Sequence, residues 1–176
     1  MKTSILSHPL RITGATMAIL LVAFAFLTHS VYATLGFTTL SGVFIFSGFI
    51  DISSGVIPNT YMSLATLIAL ALQIAVNGVF AGLVRVGVVA MVWMLCALVL
   101  MRKKAGGGDL KMIGITWLTL AVFPVVYALT LFMVWPLVLG VIVGFLRLRR
   151  IQHLRAGLAI AASAIITWTV GLMILK

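Results

Sequence analysis

Acid is almost missing from this chain. Among 176 residues only Asp51 and Asp109 carry a side-chain carboxylate, against twelve Lys and Arg, for a net charge of +10. Charged residues of all kinds make up 8%, where a soluble domain of this size carries about a quarter. So little charge cannot cover a water-facing surface, which excludes a soluble domain. Cysteine is equally scarce. Cys96 stands alone inside an apolar run, which excludes a disulfide framework and a Cys-rich zinc site. His8, His29 and His153 lie far apart without ligand spacing, so no metal and no cofactor is expected; these residues suit interfacial or lipid-facing positions. What the chain has is apolar residues, 64% of the total. They recur in stretches of about 20, the length at which a helix crosses a bilayer core.

The apolar pattern predicts an all-α, polytopic transmembrane bundle of about seven helices, forming one domain over 1–176. Spans are expected over about Ile12 to Tyr32, Thr34 to Ile50, Pro58 to Val76, Leu83 to Met101, and Ala156 to Leu175. The unbroken stretch Met112–Leu146 is too long for one crossing and suits two short ones, with a tight turn near Pro124. Loops are short throughout. Residues 1–33 form an extra N-terminal helix, or else a signal segment: Lys2, Arg11, an apolar core and "VYA" ending at Ala33 fit that pattern. The stretch before the apolar core is long for a signal, so a retained helix is expected; removal would leave six.

The basic residues test this count. With the N-terminus inside, Lys2, Arg11, Arg102, Lys103, Lys104, Lys111, Arg147, Arg149, Arg150 and Arg155 fall on the cytoplasmic side, and only Arg85 and Lys176 fall outside. A single crossing over 112–146 would put "RLRRIQHLR" outside, against the positive-inside rule. This distribution also accounts for the net charge through anionic lipid, with no nucleic-acid partner.

In this topology both acids stand at the cytoplasmic edge, Asp51 after the second span and Asp109 before the fifth. Ionisable groups at membrane depth are costly and mark function by default. As ordinary residues they would be a helix-end acid and a loop acid balancing "RKK". As a close pair they cannot both ionise cheaply and would share one proton. The ionised carboxylate can then take a proton from water while the protonated one donates to a scissile carbonyl. Ser53 or Ser54 with Lys111 offers a weaker alternative, since hydroxyls beside a turn more often bond locally. The three glycines before Asp109 suit close packing or unusual dihedrals.

The stretch Gly106, Gly107, Gly108, Asp109, Leu110, Lys111 resembles the Gly-x-Gly-Asp-x-Lys motif of type IV prepilin peptidases. Asp51, five residues, then Ile57, Pro58 and Asn59 resembles their other motif. The likeness runs from about residue 40 onward, within a family-like core over 34–176. It implies an aspartic protease of the GxGD type. Such enzymes cut the leader from prepilins or pseudopilins at the cytoplasmic face of the bacterial inner membrane, beside the pilus assembly machinery. The resemblance makes Asp51 and Asp109 the catalytic pair, with Gly106, Gly107, Gly108 and Lys111 supporting Asp109 and Ile57, Pro58 and Asn59 placing Asp51. The cysteine-bearing cytoplasmic insert of the long members has no counterpart, so no N-methyltransferase activity is expected. The chain looks like the short form of tight-adherence (Flp-type) pilus systems, related to archaeal preflagellin peptidases. It departs from the family in lacking basic residues in "ISSGV" and in placing its first Asp after the second helix.

Two other classes are open: a proton- or cation-coupled transporter using the two acids, and a non-enzymatic pilus-assembly subunit. The pairs Gly78/Gly82 and Gly140/Gly144 have the spacing of close helix contacts, expected to be intramolecular. Trp93, Trp117, Trp135 and Trp168 are read as packing or interfacial anchors.

Overall fold

A computed structural model describes residues 3–28, 30–102, 106–148 and 156–174. It is all-helical: α1 (Thr3–Leu27), α2 (Val31–Ser54), α3 (Asn59–Asn77), α4 (Val79–Arg102), α5 (Gly107–Leu120), α6 (Val125–Leu148) and α7 (Ala156–Ile174). Six of these are long and apolar enough to cross a membrane; α5 is not. The result is a multi-pass helical bundle. Lys2, Lys103, Lys104, Arg149, Arg150, Arg155 and Lys176, on which much of the charge argument stands, lie outside the described residues, as do His29 and His153.

The stretch over 112–146 divides near Pro124 as expected, but its first part, α5, is too short to count as one of the two crossings. Helix α5 ends at Leu120, a turn covers 121–124, and α6 starts after Pro124, whose carbonyl accepts the Ala128 N–H at 2.8 Å. The first boundary is corrected. The break falls at 28–30 rather than at 32–34, because Ser30 acts as N-cap and its hydroxyl accepts the Ala33 N–H at 3.4 Å. Helix α2 also runs past Ile50 to Ser54. Gly55 ends it in the left-handed region, φ 77°, where its N–H closes back on the Asp51 carbonyl at 2.9 Å. Pro58 then precedes α3 at φ −64°, as a residue without a free N–H can.

Helices α2 and α7 are the inner pair. Of their spans 56% is buried, against 11% in α1, α4 and α6. A train of rings joins them: Phe24 of α1 meets Phe37 at 5.8 Å, Phe37 meets Trp168 at 5.9 Å, and Phe44 meets Trp168 at 5.5 Å. Phe37 also touches Phe123 of the α5–α6 turn, at 5.9 Å. Trp168 and Trp135 are core residues. Trp93 and Trp117 pack edge to face between α4 and α5. Helix α5 lies against α3, α4 and α7, and half of its fourteen residues are buried.

Of the two glycine pairs, only Gly82 makes the close helix contact expected; Gly78 is the cap of α3, with nothing within 4 Å of a Cβ. A Cβ on Gly82 would come within 3.0 Å of the Gln73 carbonyl, so this glycine lets α3 and α4 close into a tight hairpin. Gly140 and Gly144 are a correction, since nothing lies within 4 Å of a Cβ at either. They sit on a largely uncovered α6, so helical spacing alone did not bring a neighbour to that face.

Candidate functional site

The two acids meet. Asp51 occupies the last turn of α2 and Asp109 the first turn of α5, and both line one cavity of about 350 Å³ between the 55–59 connection and residues 106–111. Each therefore stands inside a helix end, as expected for Asp51, and Asp109 is not the loop acid of the ordinary reading. Asp51 is buried, 7% exposed. Its carboxylate accepts the Gly157 N–H at 3.4 Å, in the first turn of α7. A helix N-terminus carries unpaired N–H groups and the positive end of the dipole, so it suits an anion there. Gly157 is a site residue that sequence reasoning missed. A Cβ on it would fall 3.1 Å from Asp51 Oδ2, tighter than ordinary contact, so glycine lets the α7 backbone approach without displacing the carboxylate.

Asp109 is half-buried, on the polar side of the apolar segment that begins at Met112. Burial first, and then the charge of Asp51, raise its carboxyl above its ordinary value. The position of Asp109 in the first turn of α5 works in the opposite sense.

The glycines before Asp109 divide by role. Gly106 is extended, at φ −63°, and Gly107 and Gly108 are helical; positive φ occurs among the described residues only at Gly55 and Gly78. Unusual dihedrals are therefore not the reason for the run. Close approach is the reason at Gly108, where a Cβ would lie 2.8 Å from the Cβ of buried Ile57. A Cβ on Gly106 would stand 3.1 Å from Asp109 Oδ2, while one on Gly107 would meet nothing within 4 Å. Gly107 thus lines the cavity without being sterically required to be glycine.

Lys111 ties the two sequence motifs together, its ammonium donating to Asn59 Oδ1 at the start of α3. Pro58 and Asn59 place that start, and Ile57 fills the space against Gly108. The hydroxyls of Ser53 and Ser54 both donate to the Ile50 carbonyl at 2.9 Å, so each bonds within its own turn. Among the described residues no three His, Cys, Asp or Glu gather where a metal could be held.

A larger hollow of about 650 Å³ lies between α3, α4 and α5. It shares Asn59 and Lys111 with the site but contains neither carboxylate, and its walls are mostly apolar, including Met62, Leu70, Val89 and Trp93. The two carboxylates therefore belong to the smaller cavity alone. Comparison of the chain with protein-family models, with curated proteins and with solved structures gives no match.

Proposed function

We propose that this chain is a membrane aspartic endopeptidase of the prepilin-peptidase kind, cutting the leader from prepilins or pseudopilins at the cytoplasmic face of the bacterial inner membrane. One observation carries the reading: the only two side-chain carboxylates of the chain, 58 positions apart by number (109 − 51), line the same small cavity. Chance placement does not favour that outcome in a protein that otherwise avoids acids. The Lys111–Asn59 bond adds support by joining the two stretches that resemble the family's motifs.

The two environments suggest a division of labour. Asp51, facing the N-terminal amide of Gly157, is placed to take a proton from the attacking water. Asp109, raised by burial and by its partner, holds the shared proton and gives it to the scissile carbonyl oxygen. Hydroxide oxygen bonds to the carbonyl carbon and forms a neutral gem-diol. Its collapse breaks the C–N bond as the proton now on Asp51 passes to the leaving nitrogen, and the gem-diol returns a proton to Asp109. No metal, cofactor or covalent intermediate enters this sequence, and no methyl transfer is included. The apolar hollow beside the site suits an apolar stretch of a substrate delivered from the membrane.

A transporter is the weaker reading, because both acids lie at one end of the bundle rather than near its middle. The test is processing of a co-expressed prepilin. Asp51→Asn and Asp109→Asn should each abolish cleavage with the protein still inserted, and normal processing by either variant would sink the dyad.

A further inference from the structure

Helix α5 differs from its neighbours in length. Its fourteen residues rise about 21 Å, short of the roughly 30 Å apolar core of a bilayer. Its C-terminal end is buried from Leu118 to Phe123, and the last carbonyls of a helix have no intrahelical partner. Each of those carbonyls nevertheless has a donor. Inside the turn, the N–H groups of Ala121, Val122 and Phe123 donate to the carbonyls of Trp117, Thr119 and Leu120 at 3.1–3.2 Å. The others are supplied by α3 and α4. Gln73, fully buried, donates through Nε2 to the Leu118 carbonyl at 2.6 Å. Asn77 Nδ2 reaches the Val122 carbonyl at 3.4 Å and Gln73 Oε1 at 3.0 Å. Arg85 Nη1 donates to the carbonyls of Ala121, Val122 and Phe123 at 3.1, 3.4 and 2.9 Å. Arg85, counted in the sequence only as a basic residue on the outer side, thus has specific backbone partners. It closes a helix C-terminus, the end that favours a cation.

We propose that Gln73, Asn77 and Arg85 are positioning residues for the site: by gripping the far end of α5 they set its depth, and so hold Asp109 opposite Asp51. A helix is stiff along its axis, so a slip of one residue at one end is a slip of about 1.5 Å and about 100° at the other. That movement takes the Asp109 carboxyl out of the cavity. The near end of α5 is held less firmly. Gly106 gives it no side-chain cap, and the Lys111–Asn59 bond there is exposed to water. Exposed bonds of this kind contribute little. The effect on cleavage rests on the peptidase reading, but the placement of Asp109 does not.

The experiment therefore has two readouts. Ile57→Cys with Gly108→Cys, in a Cys96→Ala background, puts two thiols where a Cβ on residue 108 lies 2.8 Å from that of residue 57. An outward shift of about 1 Å gives disulfide geometry, about 3.8 Å between Cβ atoms; it is common to every arm, so only the dependence of the cross-linking rate on residue 85 or 77 is read. Oxidative cross-linking of the full chain in membranes should be fast, should slow several-fold with Arg85→Met, and should recover with Arg85→Lys, which keeps a donor for the same carbonyls. In the chain with its native glycines, Arg85→Met should lower kcat for prepilin cleavage roughly tenfold to a hundredfold with KM little changed. If Arg85→Met fails to accumulate, Asn77→Ala removes one donor and carries the same cross-linking comparison. Unchanged cross-linking in whichever of these accumulates overturns the proposal. Absence of cleavage by the unsubstituted protein would instead remove the peptidase reading and leave the cross-linking to decide this one.

Discussion

A valine at position 108 would have to place its Cβ 2.8 Å from the Ile57 Cβ and 3.1 Å from both Cγ1 and Cδ1. Carbon atoms in contact sit about 3.5–4.0 Å apart, so the nearest pair overlaps by about 0.7–1.2 Å before the two methyls of valine are added. The nearest atom is a Cβ, fixed to the backbone, so a rotamer change cannot relieve it. Ile57 is itself held between the Gly55 cap and the start of α3. The strain must therefore move the first turn of α5, and Asp109 with it. Overpacking of this kind costs about 1–3 kcal/mol in stability. A displacement of about 1 Å in a catalytic group lowers the rate by about a hundredfold, and that is the loss expected here, in a protein that still inserts. The assay is the time course of cutting of a tagged prepilin in membranes, read by its shift on a gel. Gly107→Ala is the internal control. Its methyl meets nothing, and removing a glycine from a helix stabilises by roughly 0.5–1 kcal/mol, so cleavage should hold. Gly106→Ala should fall between the two, its methyl standing 3.1 Å from Asp109 Oδ2. Wild-type cutting by Gly108→Val, or equal losses in all three variants, would mean that the run acts as a flexible tether and that close fit is irrelevant.

Three further outcomes are expected. Gly157→Val should depress cleavage strongly because its Cβ would stand 3.1 Å from Asp51 Oδ2; a wild-type rate would show that α7 does not set the state of Asp51. The raised Asp109 carboxyl keeps its proton in the folded chain at a pH where the unfolded chain has lost it. Its contribution to stability is thus complete below the ordinary carboxylate pKa and is lost as pH rises through the raised value. Asp109→Asn, which cannot ionise, should then show a higher Tm than wild type at neutral pH, with the gap closing towards about pH 4; a gap independent of pH would contradict this. Cysteine labelling should place Gly78 outside and residues 102–108 and 147–155 in the cytoplasm, and an outside location for 147–155 would show that the stretch 112–146 crosses once.

Local pattern carried the helices well, because the length of an apolar run and the place of a proline are properties of neighbouring residues. The seven elements and the turn at Pro124 were legible for that reason, and the rarity of acid pointed to Asp51 and Asp109. The boundary errors came from caps: a single Ser30 hydroxyl and the αL Gly55 moved two helix ends by several residues. What could not be read was set by distant partners. Gly157 finds Asp51 across 106 positions, and Arg85 finds Phe123 across 38. Nothing beside either residue announces its partner, and Arg85 looks like any basic residue near the end of a span. The glycine pairs make the same point: the same spacing gave a tight contact at Gly82 and open space at Gly140 and Gly144.

The order of residues along the chain gives the grip on α5 a meaning for biogenesis. Hydroxyls such as Thr38, Ser41, Thr116 and Thr167 bond to the carbonyl four residues back, so these groups enter lipid already satisfied by their own helix. The end of α5 does this only in part, since the donors to the Leu118, Ala121, Val122 and Phe123 carbonyls sit on other helices. Those donors are all made first: Gln73 and Asn77 each leave the ribosome 45 residues before the carbonyl they serve, and Arg85 precedes the first of its three by 36. The α3–α4 hairpin can therefore be waiting in the bilayer when α5 emerges, and a nascent chain interrupted before residue 73 would have nowhere to seat a later α5 supplied in trans.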